Sequence, residues 1–95
     1  MQNGWAESKM KHAGEQALDA LEPVLKVVRQ CERLTEKKRG IFYRKREAFL
    51  HFHEDAAGLF ADLKVVTSGE YVRFRVSTAA ERNAFLAAAK KAAAS

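Results

Sequence analysis

The sequence predicts an α+β domain: a two-layer sandwich in which a four-stranded antiparallel meander carries an N-terminal and a C-terminal helix on one face, in the order α-β-β-β-β-α. Three observations predict it. Apolar residues recur every three to four positions from Ala17 to Leu34. The period then changes to two and holds from Ile41 to Val76. Finally Thr78, followed three residues later by Glu81, forms a capping signal that opens an alanine-rich segment reaching about Ala92.

The N-terminal helix is read from Ala17, Leu21, Val24, Val28 and Cys31, with Leu18, Leu25 and Leu34 widening the stripe. Asp19 with Glu22 suits a helix start, and Pro23 fits only a first turn, where backbone N–H groups lack partners anyway. The regular helix is therefore expected from Leu21 to Leu34. Cys31, the single cysteine, has no intramolecular disulfide partner and is read as a packing residue. Residues 1–15 are polar, with an Asn3-Gly4 turn signal and Gly14, and are expected to form a flexible leader before a single domain over 16–95. Trp5 is the leader's one large apolar group, so the alternative is a leader docked through Trp5.

The period-two region divides into Ile41 to Arg44, Glu47 to Glu54, Leu59 to Val66 and Tyr71 to Val76. A Lys45-Arg46 turn and the loops DAAG and TSGE separate them, and loops this short make neighbours antiparallel. Residues opposite one another on paired strands share a face, so the loops set the register. Closing DAAG puts Phe52 opposite Ala61 and Leu50 opposite Leu63. Closing TSGE puts Leu63 opposite Phe74 and Val65 opposite Val72. With Ala48 facing Tyr43 and Leu50 facing Ile41, one side of every strand is apolar and forms the core.

The same register sends Phe42, Arg44, Phe49, His51, His53, Phe60, Asp62, Lys64, Tyr71, Arg73 and Arg75 to the opposite side. Its cross-strand rows read Phe42, Phe49, Lys64, Arg73 and then His51, Asp62, Arg75. Aromatic anchors rimmed by arginine suit a protein partner or a second copy of the chain. Aromatic rings that stack bases among cations that neutralise phosphates suit single-stranded nucleic acid. The bland reading is a solvated sheet face stabilised by cross-strand pairs.

A metal reading centres on His51, His53 and Asp62. His51-x-His53 on a strand points two imidazoles to one side, Asp62 lies across from His51, and three nitrogen or oxygen ligands around an open position make a zinc or iron site. Arg75 beside Asp62 competes with that reading by claiming the carboxylate.

The totals set bounds. At 95 residues the chain is one domain, and 47% hydrophobic with 31% charged residues is a globular composition. Seventeen basic against twelve acidic residues give a net charge of +5, which favours anionic partners. Six Lys or Arg with no acid lie between Lys37 and Arg46, a solvated run or a phosphate-binding patch. No apolar run approaches the ~20 residues of a membrane span, nor does the start carry a signal peptide's apolar stretch, so the expected location is the cytoplasm, with no membrane partner. The glycines are scattered rather than forming a phosphate loop, and the adjacent carboxylates of Glu54 and Asp55 diverge on a strand. No catalytic residue is expected, and no cofactor other than a divalent metal.

The stretches TEKKRGIFYRKREAFLHFHEDAAGLFADLK and VRFRVSTAAERNAFL resemble a group of small uncharacterised bacterial α+β proteins, over about the last two-thirds of the chain. In outline the chain is also similar to small α+β proteins of the MmcQ/YjbR type, in which terminal helices flank a short sheet. The resemblance implies a bacterial α+β domain but no activity, ligand or residue role. The function expected is thus a non-catalytic binding or accessory module that uses the His/Arg/aromatic face for a protein partner or an anionic ligand. The alternatives are a metal-dependent enzyme centred on His51, His53 and Asp62, and a single-stranded nucleic-acid binding module.

Overall fold

The computed structural model describes residues 11–65 and 67–95. Among these residues the fold is α+β, with nine elements: β1 (Lys11–His12), α1 (Glu15–Ala20), α2 (Glu22–Arg29), β2 (Leu34–Lys38), β3 (Ile41–Arg44), β4 (Glu47–Asp55), β5 (Gly58–Lys64), β6 (Tyr71–Arg75) and α3 (Ala79–Ala94). Five strands form an antiparallel sheet in the order β2-β3-β4-β5-β6, and the two-residue β1 pairs with β4. Leu21, Leu25 and Val28 of the N-terminal half share one buried cluster with Phe42, Leu50, Phe52, Ala61 and Leu63 of the sheet and with Phe85, Ala89 and Ala93 of α3. Among the described residues no helix is long and apolar enough to cross a membrane.

The expected four strands are present, but the sheet is larger than the meander the sequence predicts. β2 falls where the N-terminal helix was expected to end. The helical stripe breaks twice: Leu21 leaves helical geometry between α1 and α2 with Pro23 just beyond it, and α2 stops at Arg29. Beyond that stop, Leu34 pairs with Arg44 and Thr35 with Tyr43. Charged side chains suit an edge strand. Here Glu36 of that edge takes two bonds from Arg29, Nε at 2.6 Å and Nη2 at 3.1 Å, and accepts from the Gly40 N–H at 3.0 Å. Residues 1–10, Trp5 included, lie outside the described residues; within the stretch read as a leader, Lys11–His12 is a strand and Glu15 begins α1.

The register of β4 against β5 is the expected one, with Phe52 opposite Ala61 and Leu50 opposite Leu63. That of β5 against β6 slides by two residues, so Leu63 opposes Val72 and Ala61 opposes Phe74. The cause is a longer loop, which closes on Val65 through Val65 N–H to Glu70 O at 2.7 Å and Gly69 N–H to Val65 O at 2.7 Å. A slip of two keeps every face and changes every partner.

Between β3 and β4 a β-bulge intervenes. Tyr43 opposes Ala48 as expected, but Phe42 opposes Leu50 and Ile41 opposes His51, leaving Phe49 as the extra residue. The bulge turns Phe42 inward, where it is 1% exposed, and Phe49 follows at 2%. Arg44, two residues from Phe42, goes to the same helix side, and its Nη2 donates to the Ser95 backbone oxygen after α3. Phe42, Phe49 and Arg44 therefore do not belong to the open face on which the alternation placed them.

The capping box at α3 is as read. The Glu81 N–H donates to Thr78 Oγ1 at 3.1 Å, and Glu81 Oε1 accepts from the Thr78 N–H at 2.9 Å. At the β2–β3 turn, Gly40 has φ +82°, and a Cβ there would come within 2.6 Å of Leu18 Cδ2. Gly40→Ala combines a left-handed backbone with that clash and is expected to cost about 1–3 kcal/mol. Urea denaturation measures it, and a midpoint equal to that of the unaltered chain refutes the steric argument.

Candidate metal centre

Strand alternation sends His51 and His53 to the side of β4 opposite Leu50 and Phe52, away from the core. The chain has only three histidines, and the fold brings the third to the same place. His12 on β1 pairs directly with His53. β1 is fixed there by the Ala13 N–H on Phe52 O at 3.0 Å and by the Gly14 N–H on Glu54 Oε2 at 2.6 Å. The ring centroids lie 5.1 Å apart for His12–His53, 5.9 Å for His12–His51 and 5.8 Å for His51–His53. One ring nitrogen from each lies within 4.8 Å of the others. Nitrogens bound to one tetrahedral zinc at ~2.0–2.1 Å stand about 3.4 Å apart, so closure needs side-chain rotation of the order of an ångström.

Asp62 lies across from His51, as expected, but its row continues to Arg73 and not to Arg75, a consequence of the two-residue slip. Arg73 binds it through a two-pronged contact, Nε to Oδ1 at 2.7 Å and Nη2 to Oδ2 at 2.8 Å. That guanidinium, against some opposing burial, holds the Asp62 carboxyl below the usual carboxylate range. With both oxygens engaged, Asp62 is replaced by His12 as third member of the cluster. It remains a neighbour, since its Oδ2 lies 3.3 Å from His53 Nε2. That approach is too poorly aligned for a hydrogen bond and leaves His53 Nε2 buried without a partner among the described residues.

Burial lowers the pKa of both His51 and His53 from 6.5; His12 adds to the lowering at each, and Asp62 works against it. Both rings are therefore neutral near pH 7, the form that ligates metals.

The remaining expected face residues surround the cluster. Tyr71 lies 5.2 Å from the His51 ring and donates its hydroxyl to Ala48 O at 2.7 Å. Arg75 lies 5.9 Å over the Phe60 ring in the row that contains His53, and its Nε is 3.5 Å from Glu81 Oε2. Lys64 pairs with Tyr71 across the strands and binds Glu47.

Comparison of the chain with protein-family models, curated proteins and solved structures gives no match. The fold gathers His51, His53, Phe60, Asp62, Lys64, Tyr71, Arg73 and Arg75 on one face and removes Phe42, Phe49 and Arg44 from it. Losing two of the aromatic rings weakens a base-stacking platform. His12 was missed because its segment, KHAG, has neither helical nor strand periodicity. The available signal was compositional: a chain with an HxH pair on a strand has one further histidine, outside the regular elements read from sequence.

Proposed function

We propose that the chain is a binding module for a divalent transition-metal ion, held by His12, His51 and His53 on the open face of the sheet. The observation that carries this reading is the convergence of all three histidines, separated by about forty residues of chain, to within 4.8 Å. Imidazole ligands favour zinc, nickel or copper over the oxygen-seeking magnesium and calcium. Three nitrogen donors leave a further position for water or for a donor from a partner. Asp62, with both oxygens held by Arg73, stands beside the three rings as a negative charge and not as a ligand. The neutral, partly buried rings of His51 and His53, and a His53 Nε2 without a partner among the described residues, suit this role.

The test is metal content after purification without chelator and zinc loading, followed by competition with a chromogenic chelator. The expected result is one ion per chain. His12→Ala, at an exposed position, is expected to weaken binding by about a hundredfold or more, because even outer-sphere changes cost ~10–100-fold. A His12→Ala protein that holds zinc as tightly as the unaltered chain overturns the assignment.

A further inference from the structure

The densest run of positive charge, Lys37 to Arg46, lies outside the histidine cluster, and packing divides its six cations. Arg39 is bound by Glu15 at 2.7 Å, Asp19 at 2.9 Å and Glu22 at 2.8 Å. Lys37 stands 5.3 Å over the Tyr43 ring. Arg44, Lys45 and Arg46 instead join Lys64 in lining a cavity of about 460 Å³ at the β3–β4 turn, with Ala48 and Phe49 as its apolar lining. The one acid in that lining is Glu47, and it is bound to Lys64.

Two further features point to a ligand. Arg44 Nε is buried without an acceptor among the described residues, while its Nη2 holds the Ser95 backbone oxygen. A charged donor left in that state is unfavourable unless something supplies an acceptor nearby. Lys45 has φ +60°, the only positive φ at a non-glycine among the described residues. It occupies the first central position of a two-residue hairpin turn, where a positive φ normally selects glycine. The strain keeps a cation in the cavity lining, and strain of this kind clusters where ligands bind.

We infer that this cavity binds a phosphate monoester carried on a small organic group, with the cations meeting the phosphate and Ala48 and Phe49 meeting the organic part. Its volume falls in the usual range of small-molecule sites, roughly 300–1,000 Å³, and exceeds what phosphate alone fills. The site is separate from the histidine cluster and does not depend on metal.

The test is an amide NMR titration of the full chain in the presence of chelator, with adenosine 5′-monophosphate as the probe and adenosine and inorganic phosphate as controls. Saturable shifts are expected at Arg44 through Phe49 and at Lys64, weaker with inorganic phosphate and missing with adenosine. Lys45→Gly relaxes the turn while removing one cation. It is expected to raise the melting temperature yet weaken binding by about tenfold, the order of one charge-assisted hydrogen bond. Arg46→Gln is expected to weaken it similarly. Shifts that do not saturate, that spread over every basic surface, or that survive unchanged in Lys45→Gly overturn the inference. Sedimentation with phosphatidic-acid vesicles in the absence of nucleotide binding also overturns it, moving the phosphate to a lipid headgroup. Oligonucleotide binding that the mononucleotide does not compete with does the same in favour of a nucleic-acid surface.

Discussion

Phe85→Ala is expected to cost about 3–5 kcal/mol, the usual range for removing a fully buried aromatic ring from a core. Phe85 is 0% exposed and meets Phe52 edge-on at 5.7 Å and Phe74 at 5.6 Å. It is also the main anchor of α3. The other buried residues of that helix are Ala89 and Ala93, which allow a close approach but contribute little apolar area. A domain of this size has about 5–15 kcal/mol of stability in total, so the variant loses a large part of it. At roughly 4–8 °C per kcal/mol, the melting temperature should fall by about 12–40 °C. Urea titration followed by far-ultraviolet circular dichroism measures both the midpoint and the helical signal of α3. A loss below about 1 kcal/mol would mean that this ring does not hold the helix to the sheet.

The parts of the fold that were legible in the sequence are those where one physical constraint acts alone. Beyond the bulge at Phe49, β4 alternates cleanly against β5 because one face is packed and the other is not, and their short loop leaves a single register; hence Phe52 with Ala61 and Leu50 with Leu63. The Thr78–Glu81 box is local, and local chemistry is readable without knowing the fold. What was hidden depends on distant partners. β2 carries Glu36, Lys37 and Lys38 and resembles the charged end of a helix. It becomes a strand because β3 offers its backbone and Arg29 neutralises Glu36. The bulge at Phe49 has no signal in a run of alternating residues, yet it turns Phe42 and Arg44 to the other face.

The candidate site divides along the same line. His51, His53 and Asp62 share a face by strand parity, which a sequence shows. Arg73 takes the place of Arg75 only because the β5–β6 loop is longer than its turn residues suggest. His12 arrives by a two-residue pairing held largely by backbone groups, for which side-chain patterning gives no sign.

Zinc is expected to raise the melting temperature of the unaltered chain near neutral pH and to raise that of His12→Ala by no more than about 2–3 °C at the same concentration. At a free concentration a hundred times Kd, a ligand that binds only the folded state adds about 2.7 kcal/mol. For a domain of this length that is a rise of about 10–20 °C. The dependence on pH follows from the two buried rings. His51 and His53 have pKa values below the 6.5 of the unfolded chain, mainly through burial. Without metal, their contribution to stability is fully present above about pH 6.5 and is lost as the pH falls through the lowered values, because the unfolded chain takes up protons first. With metal the same protons compete for the ligating nitrogens, so the zinc-induced rise is expected to be full at about pH 7.5, to persist somewhat below the ordinary histidine pKa, and to be lost as the pH falls through the lowered values of His51 and His53. Thermal melts with and without zinc across that range read both effects. A rise that stays full as the pH falls until the protein itself unfolds, with no loss tracking histidine protonation, would assign the metal to carboxylates instead. An equal rise in His12→Ala would assign it to a place other than the histidine cluster.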